Sequence, residues 1–500
     1  MDLAFSEAKA SPLEIYPETC QIIHCWKGFN VIDSQWGAFE YAGAMMGGFH
    51  VYDIEITQVF SEEKGFFKHA IEGQVRLERK MCSFKHIVFM WSDLFMTEYA
   101  VNGQRLWNNI LELGKIGTTT NGVSRVSFSL ADMEARRWLL EKMQTAGLDA
   151  HIDHVGNVLG SIPSSSTKKI LVGSHLDTVP NGGMFDGALG VLAALECAQT
   201  MKEHNVKFAH GIQVAAFSNE EGTQAGGGLF GSRYFAEGIS EAEQELVGPV
   251  IKKAGLMGIG PAGSQRPFQP SEYVCYLELH IEQGGVLDST KEHIGVVEGI
   301  VGIHNLDIAF EGVPNHAGTT PMAQRKDALL GAVALILEVP GTVREYGSDF
   351  TVGTCGQVDV FPGARNVIPG YVRVSIEVRD LEPDVADRVL EALMEKARNI
   401  ARSRQLDVEL TPVSKTPSAK MDSEIQAVIF DAATSLGFKA RPMPSGASHD
   451  AAVFAKYLPT AMIFVPSRHG ISHSPNEWTG PEDCINGANV LLRTLLRLAM

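Results

Sequence analysis

The stretch from Leu171 to Cys197, LVGSHLDTVPNGGMFDGALGVLAALEC, constrains the fold of this chain more than any other. Ile170 to Gly173 is a short apolar run with Ser, Thr and Lys before it and turn residues after it, as in a buried parallel strand. This strand delivers His175 and Asp177 at its carboxyl end. A loop through Pro180, Asn181, Gly182 and Gly183 presents Asp186, and Leu189, Leu192 and Leu195 then recur at helical spacing. Ligands of open α/β sheets gather where strands end and helices begin. An imidazole and a carboxylate displayed there suit a divalent cation of the Zn or Mn kind. Taken alone, the pair suits an ordinary polar loop equally well.

Other stretches repeat the pattern. Ile212 to Ser218 reads as a second buried strand and ends in Asn219, Glu220, Glu221 and Gly222. Adjacent carboxylates in a dry site repel unless a cation balances them or one holds a proton. A metal hydrolase needs one carboxylate as ligand and another as proton shuttle; the bland alternative is a solvated acidic turn. Tyr273 to Glu278 is a third apolar strand leading into ELHIEQGGVLD, which puts His280, Glu282 and Gln283 at another strand end. Beyond a strand over Thr460 to Val465, PSRHGISHSPNEWTGPED presents His469 and His473. A two-metal centre is the simplest joint explanation. Asp186, bridging through both oxygens, would hold two cations ~3.5 to 4 Å apart, acidifying a shared water toward pKa ~7. AGGGLFG, Ala225 to Gly231, lacks the Gly-Lys-Ser/Thr ending of a P-loop and reads as a tight turn. His151 and His154 lie in a polar, turn-rich strand pair and read as surface histidines.

With 500 residues, two or three domains are expected. Residues 1–95 show little periodicity and form an extension of unassigned fold. The catalytic domain reads as 96–299 and 414–500. Between them, 300–413 follows a strand-helix-strand-strand-helix-strand pattern. Val301 to Phe310 and Tyr371 to Val378 are strands there, and Asp327 to Leu337 and Pro383 to Arg402 are helical. This predicts an inserted ferredoxin-like α+β unit in an otherwise α/β protein. The insert carries PNHAGTTPMAQRKDAL around His316, RNVIPG with Asn366, and Arg379, polar residues placed to close over a substrate.

The 59 acidic and 42 basic residues give a formal charge of -17, which argues against nucleic-acid binding and against an anionic membrane surface. Seven cysteines without paired spacing point to reduced thiols. MDLAFSEAKA has no basic or long apolar signal region, and no apolar run approaches the ~20 residues of a membrane span. A cytoplasmic protein is expected.

Six ordered motifs, GSHLDTVPNGGMFDGALGV, FSNEEGTQAGGGLFGSR, ELHIEQG, PNHAGTTPMAQRKDAL, RNVIPG and GISHSPNEWT, resemble the dimetal amidohydrolases that include N-carbamoyl-L-amino-acid hydrolase, β-ureidopropionase and allantoate amidohydrolase. The resemblance runs from about residue 97 to the end and implies a dimetal aminopeptidase-like catalytic domain with an inserted lid and dimerisation domain. It implies that His175, Asp186 and His280 hold one metal, and Asp186, Glu221 and His473 the other, with Zn or Mn expected and Co or Ni acceptable. Glu220 becomes the general base and then acid, and Asp177 the carboxylate that orients a ligating imidazole. Gln283, Asn366 and Arg379 hold the substrate, with Arg379 on its carboxylate. His316 reaches the neighbouring site of a homodimer. Ser448 departs from the family, whose members commonly have glycine there. The implied reaction hydrolyses an N-carbamoyl amino acid or a related ureido acid to ammonia, carbon dioxide and the amino acid. Allantoate is the alternative substrate, a dipeptidase or aminoacylase the runner-up activity. A non-catalytic binding protein would have lost Glu220 or a ligand, and none is missing.

Overall fold

The computed structural model describes residues 99–162, 166–224, 227–256 and 268–499 in full, and before them only the backbones of four short strands. Those strands form two antiparallel hairpins, Ala42–Met45 with His50–Asp53 and Gln74–Leu77 with Lys80–Ser83. Met1–Glu98 and Tyr99–Met500 are separate units. The unassigned extension over 1–95 otherwise lies outside the described residues.

The second unit is built on a nine-stranded mixed sheet. Its centre is Thr460–Val465, Tyr273–Ile281, Lys169–His175 and Gly211–Phe217, side by side and all parallel. These strands are buried almost throughout, which is why they read as apolar runs rather than alternating ones. Parallel pairing has a direct consequence for function: all four carboxyl ends lie along one edge of the sheet. Antiparallel strands Val158–Ile162 and Asp149–Ile152 finish one side. Ile294–Ile300, Ala419–Lys420 and Ala440–Ser445 finish the other. The crossover helix Ala188–Glu203 is buried on nearly every face, and the terminal helix Pro481–Ala499 packs against it.

Behind the site, Arg125 is fully buried. Its Nε donates to the Leu176 carbonyl at 2.7 Å, and its Nη1 donates to those of Ile116 and Leu113 at 3.1 and 3.2 Å. Burial pulls this guanidinium down to about 10. The arginine thus ties the end of the Lys169–His175 strand to the C-terminus of helix Gly103–Lys115.

Residues 302–416 form a second sheet, ordered Val352–Phe361, Tyr371–Asp380, Gly302–Glu311 and Asp407–Thr416, antiparallel throughout. Helices Ala328–Tyr346 and Pro383–Arg404 pack on it around Leu306, Phe310, Leu335, Val374 and Leu393. The first helix runs past the Leu337 limit read from sequence and through Pro340. Leu335, Val339 and Thr342 are buried along it, and that packing outweighs the ~3 kcal/mol an interior proline costs. The strand Ala440–Ser445 was not legible as one because it contains Pro442 and Pro444. Among the described residues it pairs only with Ile294–Ile300, and prolines two apart place both missing donors on the same strand edge.

Candidate metal centre

At the carboxyl edge of the parallel strands the expected residues converge. His175 closes its strand, and its Nδ1 faces the Asp177 carbonyl at 3.1 Å. His280 lies one residue before the end of its own strand, with Nδ1 2.9 Å from the Ile281 carbonyl. Each carbonyl takes the Nδ1 proton and turns Nε2 toward Asp186. Asp186 Oδ1 stands 3.2 Å from His280 Nε2 and 3.6 Å from His175 Nε2; its Oδ2 stands 3.5 Å from His473 Nε2. His473 Nε2 is in turn 3.3 Å from Glu221 Oε2. The two oxygens of Asp186 therefore face two different triads, His175–Asp186–His280 and Asp186–Glu221–His473. In each, the ligand atoms lie within 4.8 Å of one another.

The loops that achieve this are bent by unusual backbone. Gly187 has φ of 64°, and a Cβ there would stand 2.4 Å from the His175 ring, so only glycine fits. Asn219, Gln283 and His473 also lie in the left-handed region, at 52°, 57° and 53°. Strain of this kind persists where the surroundings over-determine it, and these three residues lie at the site.

Burial dominates the electrostatics. It pushes Glu220 well above the usual carboxylate range, reinforced by Asp450 and Glu221 against the opposing pull of His175. It pushes Glu221 up to about 8, with Asp186 adding to the effect. Burial would lower His175 and His280, but neighbouring carboxylates, Glu220 and Asp186 for the first and Asp186 for the second, raise both. Glu221 Oε1 is buried without a hydrogen-bond partner. An orphaned carboxylate oxygen, Nε2-directed imidazoles and a bridging aspartate fit two divalent cations of the Zn, Mn, Co or Ni kind.

Glu220 is 8% exposed, with Oε2 3.6 Å from His175 Nε2, at the rim of the first triad. Asp177 differs from its expected part. Its carbonyl, not its carboxylate, meets His175; the nearer carboxylate oxygen is 3.9 Å from Nδ1. The carboxylate instead accepts Ser127 Oγ–H at 2.8 Å and the backbone N–H groups of Glu220 and Glu221 at 3.3 and 3.2 Å. It fastens one strand end to the next.

Gln283 reaches the cluster, its Nε2 donating to Asp186 Oδ2 at 2.7 Å. Arg379 donates to Glu377 Oε1 and to the Gly446 carbonyl, both at 2.7 Å, which sets it against the loop that contains Ser448 and His449. His449 is buried with its ring 4.4 Å from that of His280. His316 and Asn366 are exposed on adjacent loop segments, which are tied by Ala317 N–H donating to the Asn366 carbonyl at 2.9 Å and by a backbone bridge between His316 and Val367. His316 Nδ1 accepts the N–H groups of Gly318 and Thr319, so Nε2 is its free donor. Among the described residues, neither His316 nor Asn366 bonds to the cluster. Sequence reasoning missed Ser127, Ser472 and Glu477, the last buried against the Asp186 loop. The only signal was their presence in polar, turn-rich runs.

A profile described as peptidase family M20/M25/M40 matches residues 171–497. The chain belongs to that family. The resemblance carried by the six motifs holds at the level of individual relatives. The chain is 38% identical to an N-carbamoyl-L-amino acid amidohydrolase of Geobacillus stearothermophilus, across 80% of this chain and 99% of that one. It is 34% identical to a ureidoglycolate hydrolase of Arabidopsis thaliana, across 80% and 87%. A solved amidase of the hydantoinase/carbamoylase family from Burkholderia multivorans superimposes with a TM-score of 0.74 at 34% identity, across 80% and 99%. The M20-like α/β fold is thereby established for the family member described above.

Proposed function

We propose that this enzyme hydrolyses the ureido C–N bond of an N-carbamoyl-L-amino acid, releasing ammonia, carbon dioxide and the amino acid. The single observation that carries the reading is the pair of triads sharing Asp186, with a buried glutamate, Glu220, at their rim. Both belong to a chain whose relatives include an N-carbamoyl-L-amino acid amidohydrolase.

His175, Asp186 and His280 would hold one cation, and Asp186, Glu221 and His473 the other. When bound, the cations supply the positive charge that acidifies a water and polarises the ureido carbonyl. Glu220 takes the proton of the attacking water and returns it to the leaving nitrogen, with a carboxyl already raised by burial. Asp177 holds Glu220 and Glu221 in place through their N–H groups. Arg379 pairs with the substrate carboxylate, and Gln283 and Asn366 flank the ureido group.

His316 donates from Nε2 to the carbonyl oxygen, within the site of the neighbouring protomer of a homodimer. The exposed apolar face of the second sheet supports a dimer. Leu330, Val333 and Leu337 stand out from helix Ala328–Tyr346, and Val352, Val358 and Phe361 lie along the exposed edge strand beside it. On this reading residues 300–413 are the lid and dimerisation domain, inserted between catalytic segments 96–299 and 414–500. A cytoplasmic setting is supported by the unpaired Cys197, Cys275, Cys355 and Cys484. Among the described residues, no helix is long and apolar enough to cross a membrane.

The test is ammonia release by stripped protein reloaded with Mn or Zn, across N-carbamoyl-α-amino acids, N-carbamoyl-β-alanine, ureidoglycolate, allantoate and dipeptides. Metal-dependent ammonia from a carbamoyl-α-amino acid is expected. Ammonia only from allantoate or ureidoglycolate would move the substrate, and dipeptide cleavage alone would reject the reading.

A further inference from the structure

Glu477 belongs to neither triad and takes no part in proton transfer, yet it is only 4% exposed and bound to the loop that carries Asp186. Its Oε1 accepts the N–H groups of Phe185 and Asp186 at 2.9 and 3.1 Å. Its Oε2 lies 3.0 Å from Ser472 Oγ, which also stands 2.7 Å from Asp186 Oδ2. The single hydroxyl proton serves one carboxylate at a time, so Ser472 links the two. Glu477 thus holds Asp186 by its backbone and, through Ser472, reaches its side chain. The loop is shaped to admit it. A Cβ at Gly183 would stand 2.1 Å from Glu477 Oε1, leaving no room for any side chain there. The next residue, Trp478, packs edge-on against the Phe185 ring at 5.5 Å, so the two consecutive residues hold Phe185 and Asp186 by polar and apolar contact together.

The geometry points to Glu477 as a positioning residue that fixes Asp186 in the orientation from which its two oxygens face the two triads. This rests on the reading that the triads take divalent cations. A carboxylate that must serve two cations at once tolerates little rotation. Outer-shell partners of this kind change metal affinity by roughly 10- to 100-fold when removed.

The test is calorimetric titration of the stripped full-length chain with Mn(II), with thermal unfolding followed in parallel. Glu477→Ala is expected to bind Mn(II) roughly 10- to 100-fold more weakly. Glu477→Gln should stay close to wild type, since its amide oxygen still accepts both N–H groups and its NH2 can donate to Ser472. An alanine variant that melts earlier but binds Mn(II) as wild type does would reduce Glu477 to a structural staple and overturn the proposal. A glutamine variant as weak as the alanine one would overturn its hydrogen-bond basis. Should the alanine variant fail to fold, Glu477→Asp decides between the two roles. Its carboxylate sits one methylene short of the two N–H groups, so weaker binding supports the proposal and wild-type binding overturns it. Wild-type protein that takes up no divalent cation would remove the metal reading itself, an outcome distinct from failure of the variants alone.

Discussion

At the carboxyl edge of the nine-stranded sheet the polar side chains are buried and already in mutual contact. The loops of the four-stranded sheet, by contrast, leave His316 and Asn366 exposed, and among the described residues neither bonds to the cluster. The difference follows from how each set is supported. Parallel strands packed on both faces deliver His175 and His280 at the same height and Glu220 just beyond the end of the next strand, and Arg125 and Asp177 lock the strand ends from behind. Loops on an antiparallel sheet whose two edge strands are largely exposed have no such backing. A preformed cation site within one chain, completed toward substrate by residues from elsewhere, is the arrangement this contrast suggests.

Glu220→Gln separates the two regions most sharply. It is expected to lower kcat by roughly 10²- to 10⁴-fold, as for loss of a general acid and base, while metal analysis still finds two cations per chain. Retained turnover would remove Glu220 from proton transfer.

His316→Ala should cost roughly 10²- to 10³-fold in kcat, the usual effect of losing one donor to a developing oxyanion. Mixing it with the Glu220→Gln variant gives the comparison its clearest edge. In a mixed dimer one site keeps Glu220 and receives the partner's His316, so activity returns although neither variant is active alone. No recovery after subunit exchange would confine His316 to its own chain.

Arg379→Ala acts on binding. Loss of a charged hydrogen bond worth roughly 1.5–3 kcal/mol should raise KM about 10- to 100-fold with a smaller change in kcat. An unchanged KM would sink the carboxylate clamp. Ser127→Ala is the mildest, costing roughly 1 kcal/mol of stability by thermal unfolding. If it costs nothing, the Ser127 hydrogen bond to Asp177 is not part of what supports the strand ends.

The residues of the candidate metal centre were legible as a group because they sit where apolar runs stop: His175 and Asp186, Glu220 and Glu221, His280, and His473 each lie at or beyond the end of a run that reads as a buried strand. The supports were not legible. Glu477 is almost three hundred residues from Asp186, and only the folded chain brings its carboxylate to the Asp186 N–H and over the hollow left by Gly183. Asp177 was identified by position, but whether its carbonyl or its carboxylate meets His175 depends on a turn no spacing reveals. Strand Ala440–Ser445 was hidden by its prolines, and the helix past Pro340 by a packing contribution that propensity does not contain.

The most direct measurement is the titration of stripped protein with Mn(II) while ammonia release from an N-carbamoyl-L-amino acid is followed. Turnover is expected to be absent without metal and to rise until it levels off at two equivalents per chain. Full activity in the stripped protein, or metal uptake at two equivalents with no ammonia from any ureido acid, would contradict it.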